Sequence, residues 1–291
     1  MKRTTFLLTL LLAMLTMPMM AQRQVIDFDF GWKFHLGDID ETKLASLGDV
    51  SSSWRTVDVP HDFQIEQPWV APDKDEKASN SDGASNFRSR LSARGFKEMG
   101  SGWYVKTYTP GKELQGKRIL IDFEGIMYVG DVYLNGVRIG GTDYGYVGFD
   151  IDLSDKLKYG EENVIAVKAS TGDPMNSRWY TGGGLFRDVH LIVTDASMYF
   201  VRHPLYITTK DNHEVDIQAE VANLTRNNDV SIGTKIIDAQ GVTVYEKKAD
   251  VHFNRKMKTN ELKLAPVNMP NPRLWSCEDP YLYTAEVTLY D

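Results

Sequence analysis

From Gln22 onward the chain is written in short apolar runs of period two, broken every few residues by Gly, Asn, Asp or Pro, and no long segment holds a helical period. This pattern restricts the fold more than any other feature. Successive side chains of a strand point to opposite faces, so each alternating run buries one face, and that face needs a second sheet to cover it. Ile119, Ile121 and Phe123 alternate with Leu120 and Asp122. Asp131 to Leu134 and Val137 to Gly140 flank Asn135-Gly136, a dipeptide suited to a two-residue hairpin turn because both central positions need positive φ. Further strands are expected at Tyr104 to Thr109, Gly148 to Leu153, Asn163 to Lys168 and Val189 to Val193. Together they predict an all-β fold opening with an antiparallel sandwich of the jelly-roll kind.

A second rhythm starts near Phe200, with strands expected at Leu205 to Thr209, Glu214 to Asn223, Asp229 to Asp238, Val242 to Ala249, Lys258 to Leu264 and Tyr281 to Tyr290. That spacing suits an immunoglobulin-like sandwich, which normally has about seven strands. With six found, the expectation is an incomplete sandwich that stops before its last strand. The organisation so predicted is a signal peptide over 1–21, a jelly-roll domain over 22–197 and an immunoglobulin-like domain over 198–291.

The leader rests on Lys2 and Arg3, an apolar run from Phe6 to Met20, and the small residue Ala21. These are the parts of a secretory signal, too short and poorly flanked for a membrane anchor. The mature chain is therefore expected to be exported, periplasmic or secreted, with no membrane attachment after signal removal. Without Lys2 and Arg3, 31 basic residues face 40 acidic ones. So acidic a chain argues against a nucleic-acid partner, whose binders need a basic face. Cys277 is the single cysteine, which rules out an intramolecular disulfide.

The richest local cluster is Ser177-Arg-Trp-Tyr-Thr-Gly-Gly-Gly-Leu-Phe-Arg-Asp-Val-His-Leu191. Three glycines in a row admit positive φ or close backbone approach. Trp179 and Tyr180 offer flat faces suited to a sugar ring, and Arg178 and Arg187 offer forked donors. A packing corner explains the same residues. Trp54, Trp69, Trp103, His61, Asp62 and Asn176 add aromatic and polar groups of the kind a sugar site needs, although core packing accounts equally for Trp54 and Trp103. The polar run from Pro72 to Gly100 is either a site-lining or a solvated loop.

Other chemistries find little support. Asp58 with Asp62, or Asp122 with Glu124, are unspecific as a glycosidase pair. The six histidines lack metal-ligand spacing, no nucleophile elbow is present, and Gly182 to Gly184 lack the Lys-Ser/Thr of a phosphate loop. No metal and no cofactor are expected.

Five motifs in order carry a family resemblance: Trp54-Arg-Thr-Val-Asp-Val-Pro-His-Asp-Phe63, Gly102-Trp-Tyr-Val-Lys106, Phe123-Glu-Gly125, Val132-Tyr-Leu-Asn-Gly136 and the Ser177 to Val189 segment. With Asn271 to Tyr283 they resemble the amino-terminal half of glycoside hydrolase family 2, the β-galactosidases, β-glucuronidases and β-mannosidases. The resemblance implies a sugar-binding jelly roll, an immunoglobulin-like domain and then a catalytic (β/α)₈ barrel carrying two glutamates, a domain this chain lacks. The expected activity of the whole enzyme is retaining exo-β-glycosidase, β-galactosidase first, with a β-linked carbohydrate as substrate and a homo-oligomer as the assembly. The chain alone is expected to be inactive; a non-catalytic carbohydrate-binding module is the alternative. Asp62, Asn176, Arg178 and Trp179 are the implied substrate contacts, and no catalytic residue lies in this chain. Arg178 departs from the best-known bacterial β-galactosidase pattern, which has an acidic residue there. Asn260-Glu261 repeats the family's acid/base dipeptide but falls in an expected sandwich strand.

Overall fold

A computed structural model describes residues 23–70, 95–172, 180–224, 230–254 and 256–290. The leader, most of the Pro72 to Gly100 run, and Asn176, Arg178 and Trp179 lie outside the described residues. The contact pattern divides the chain between Thr194 and Asp195 into two compact units.

The described residues of the first unit form ten strands: β1 (Gln24–Asp27), β2 (Trp32–Leu36), β3 (Arg55–Val57), β4 (Ser101–Tyr108), β5 (Arg118–Phe123), β6 (Val129–Leu134), β7 (Val137–Thr142), β8 (Phe149–Asp152), β9 (Asn163–Ser170) and β10 (Val189–Thr194). They form a six-stranded sheet, β3-β2-β4-β9-β6-β7, and a four-stranded sheet, β1-β10-β5-β8. The pairings are antiparallel. Trp32, Phe63, Tyr104, Phe123, Leu153 and Leu191 meet in the main core, each large buried side chain contributing about 1.5–3 kcal/mol. Asn135 and Gly136 have φ of 51° and 83°, as the hairpin turn requires. The Asn135 amide donates to Asn163 Oδ1 and its carbonyl accepts from Val164 N–H, tying the turn to β9.

β4 breaks the simple alternation. Gly102, Trp103, Tyr104 and Val105 are all buried, because the outer face of this sheet is covered as well. Leu44 and Leu47, on the short helical segments Glu41–Ser46 and Leu47–Val50, pack on Trp103, Val105, Tyr133 and Ala166. Asp40 caps the first segment by accepting from Thr42 N–H and Oγ1–H. Strands β1 to β3, of four, five and three residues, are too short to show a sequence period.

The second unit contains β11 (Met198–Lys210), β12 (Glu214–Asn223), β13 (Val230–Ile237), β14 (Thr243–Val251), β15 (Thr259–Lys263), β16 (Val267–Asn268) and β17 (Thr284–Tyr290). One sheet runs β11-β12-β15 with β16 also on β12, and the other runs β14-β13-β17. Their inner faces supply two small cores, around Val221, Ile232 and Leu262 and around Ile217, Ile236 and Val267. Among the described residues the two-residue β16 is a seventh strand where the sequence pattern shows six. Asn260 and Glu261 lie in β15: Asn260 is buried and accepts from Asn254 N–H, whereas Glu261 faces outward. Asn260 therefore serves the local turn.

Candidate functional site

The glycine triplet and the Asp62 turn, about 120 residues apart in sequence, are zipped together. His61 N–H donates to Leu185 O at 2.7 Å and Phe63 N–H to Gly183 O at 2.9 Å, while Gly184 and Met127 exchange two backbone bonds. The Asp62 carboxylate closes the junction. Its Oδ1 accepts from Gln64 N–H at 3.0 Å and Gly183 N–H at 2.8 Å, and its Oδ2 accepts from the Tyr180 hydroxyl at 2.7 Å. Each glycine has its own reason to be there. Gly182 has φ of 77°, a side chain on Gly183 would collide with Thr171 and Gln64, and Gly184 combines φ of 123° with Tyr104 and His61 at close range.

Burial and the neighbouring Asp62 charge push the Tyr180 hydroxyl far above its ordinary range, with the hydrogen bond to Asp62 acting in the same sense. Tyr180 therefore stays a donor at physiological pH and fixes the Asp62 carboxylate. The sequence offered Tyr180 as an aromatic face; the structure gives it a polar role as well. Gln64 is fully buried beside Gly183, and neither of its side-chain amide atoms has a hydrogen-bond partner among the described residues.

A second group of polar residues sits against this junction. Arg55 pairs with Glu66, and His61 Nε2 lies between them, 3.1 Å from the Arg55 guanidinium and 3.4 Å from Glu66 Oε1. The other ring nitrogen, Nδ1, lies 2.8 Å from the Tyr104 hydroxyl. Burial is the largest influence on His61 and lowers its pKa; Glu66 opposes this and Arg55 reinforces it. For Glu66, burial acts upward, but the hydrogen bonds and charges of Arg55 and His61 outweigh it and the net shift is down. Arg55 and Glu66 line a cleft of about 430 Å³ together with His35, Leu36, Trp54 and Phe34. The His35 and Trp54 rings stack at 4.9 Å, and the Arg55 guanidinium lies 4.9 Å from the Phe34 ring centre.

Of the sequence-predicted contacts, Asp62 is placed at the junction, while Asn176, Arg178 and Trp179 fall outside the described residues and immediately precede the anchored Tyr180. Trp103 is a core residue, Trp54 is half-buried, and Trp69 is 73% exposed with Lys97 Nζ 4.1 Å from its ring. Arg187 lies over the Phe186 ring, 5.4 Å from its centre. Arg55, Gln64, Glu66 and the hydroxyl of Tyr104 were not singled out by sequence. No residue spacing links them, since the contacts arise only when the loops meet. Among the described residues no group of three or more His, Cys, Asp or Glu is arranged to hold a metal ion.

Among the described residues the two units are antiparallel β-sandwiches, the first with its loops joined at a glycine corner. Residues 98–203 match the model described as glycosyl hydrolase 2 galactose-binding domain-like, and residues 200–291 match glycosyl hydrolases family 2. The chain belongs to glycosyl hydrolases family 2. It is 32% identical over 274 residues to a β-galactosidase of Bacteroides ovatus, covering 91% of this chain and 30% of that protein. A β-glucuronidase of Bacteroides fragilis is 27% identical, covering 99% of this chain and 38% of the relative. A family 2 crystal structure from Bacteroides cellulosilyticus is 32% identical, with a TM-score of 0.75 over 92% of this chain and 34% of its own. The chain thus spans well under half the length of these relatives.

Proposed function

We propose that the chain forms the amino-terminal part of an exported, retaining exo-β-glycosidase that hydrolyses terminal β-galactosides. The observation carrying this reading is the co-linear match of both sandwiches to family 2, with a β-galactosidase among the relatives at 32% identity. The catalytic pair, a glutamate nucleophile and a glutamate acid/base, belongs to a barrel outside this chain. The sandwiches supply a scaffold, contacts for a homo-oligomer and one wall of the sugar pocket. The welded junction suits that role, because a pocket wall must be held within about 0.5 Å to be useful. Asp62, Asn176, Arg178 and Trp179 are assigned to the terminal sugar, and the basic start followed by the Phe6 to Met20 run supports export.

The test compares the 291-residue protein with a continuous polypeptide that includes a barrel, using nitrophenyl β-galactoside. The longer protein is expected to turn over and the shorter one to be inert. Hydrolysis by the shorter protein overturns the reading. Because the relatives include β-glucuronidases, nitrophenyl β-glucuronide belongs in the same assay; a higher kcat/KM for it would reassign the sugar.

A further inference from the structure

The cleft at the start of β3 lies on residues to which the reading above gives no role. β3 pairs with β2 only as far as Phe34 opposite Arg55. Beyond that point β2 continues through His35 and Leu36, paired with β4 on its other side, and the cleft of about 430 Å³ opens between them and Ser53-Trp54. Trp54 is fixed from two directions. It packs against the outer core containing Leu44, Leu47 and Trp103, and its ring stacks on His35 with an interplanar angle of 28°. Arg55 is fixed by Glu66, by His61 and by the Phe34 ring.

From this arrangement we propose that the cleft is a second carbohydrate site, specific for a neutral pyranose, that works without the barrel. The carbohydrate class rests on the family reading above; the preference for a neutral sugar rests on the cleft. An aromatic wall beside a small set of fixed polar groups is the composition a sugar site needs. The guanidinium of Arg55 donates and the carboxylate of Glu66 accepts, so adjacent hydroxyls of one ring can bond to both. The pair is already neutral as a unit. A uronate carboxylate would have to compete with Glu66 for Arg55 and would meet its negative charge at close range, whereas a hydroxyl pays neither penalty. Both groups are held before any ligand arrives, which reduces the entropy lost on binding.

The experiment titrates the 291-residue protein with methyl β-galactoside and, separately, with glucuronate, by calorimetry and saturation-transfer NMR. Binding of methyl β-galactoside with a Kd on the order of 1–10 mM is expected, and no binding of glucuronate at about 50 mM. Trp54→Leu should weaken galactoside binding at least ~10-fold. Glu66→Gln should weaken it as well and should let glucuronate bind, because Arg55 is then released from its carboxylate partner. That change of preference would not follow from a merely structural defect, and it carries the test if the Trp54 variant does not fold. Absence of galactoside binding by the folded protein at about 50 mM overturns the site, and so does unchanged binding in both variants. If Glu66→Gln binds no glucuronate, the neutral-sugar selection is wrong. These results are independent of whether the longer polypeptide hydrolyses galactosides, so failure of one reading leaves the other standing.

Discussion

Two carboxylates, one in each sandwich, do the same local chemistry with different consequences. Asp62 Oδ1 accepts from the backbone N–H two residues on, at Gln64, and from Gly183, 121 residues away. Asp238 Oδ1 accepts from the N–H two residues on, at Gln240, and from Val242, four residues away. The first is a weld between distant loops and the second is a turn. The contrast extends across the units. Asp29 reaches Val189 N–H across 160 residues and Lys106 reaches the carbonyls of Phe28 and Phe30 across more than 70. In the second unit Arg273 with Asp279 and Asn260 with Asn254 are local, and the Tyr281 hydroxyl reaches Ala239 N–H and Gln240 Oε1 across 42 and 41 residues. The first sandwich fixes the shape of its loops through side chains; the second relies more on sheet pairing and two small cores.

The largest effect is expected where the weld leaves no space. Gly184→Ala places a methyl group against Tyr104 Oη, His61 O at 2.7 Å and Phe63 Cδ1 at 3.2 Å, at a φ of 123° that L residues rarely adopt. Strain and overpacking together should cost at least about 3 kcal/mol. Hydrogen exchange should show lost protection in β4, β9 and β10 with β12 and β13 little changed; equal loss in both units would break the distinction drawn here. Asp62→Ala comes next. It removes three hydrogen bonds to one carboxylate and leaves the N–H of buried Gly183 without its acceptor, a loss of about 2–4 kcal/mol, also read in β10 exchange.

Acid should act on the same side of the comparison. His61 has a folded pKa below its ordinary value of 6.5, so it binds protons more readily when unfolded. Its contribution to stability is fully present above about pH 6.5 and is lost as pH falls through the folded value. Glu66, also depressed, adds a second loss below its ordinary 4.5. Thermal midpoints of the first unit should therefore decline as pH falls from neutral. His61→Asn should flatten the upper part of that decline; identical slopes with and without the imidazole would remove His61 as its cause. In the second unit, the shifted groups Lys210, Arg273 and Asp279 lie at the surface, where ion pairs contribute little.

The same contrast explains what the sequence disclosed. Period two exposed the strands buried on one face, and Asn135-Gly136 exposed its turn, because both signals are local. β4 hid its outer packing, since Trp103 is covered by Leu44 and Leu47, nearly sixty residues earlier. The three glycines announced a tight corner without saying what pressed on it. Arg55, Glu66 and His61 gave no sign of meeting, and Asp62 was nominated for a ligand while its hydrogen bonds to Tyr180 and Gly183 went unseen. A turn closed by its own backbone can be read from a string; side chains that meet across loops, whether 5 residues apart like His61 and Glu66 or 121 apart like Asp62 and Gly183, need the topology first.

Asp238→Ala has the smallest expected effect and sharpens the comparison most. The two N–H groups it releases, on exposed Gln240 and Val242, can turn to water, so the loss should be about 0.5–1 kcal/mol. The rest of the turn survives, because Asp238 N–H still donates to Val242 O and Gly241 N–H to Asp238 O. Exchange should quicken only near the β13–β14 turn. If Asp238→Ala instead costs as much as Asp62→Ala, separation along the chain is not what gives Asp62 its leverage, and local turn geometry would have to account for both. A small, confined loss here beside a large, spread one at Asp62 would show that leverage comes from joining distant loops, the property a pocket wall requires.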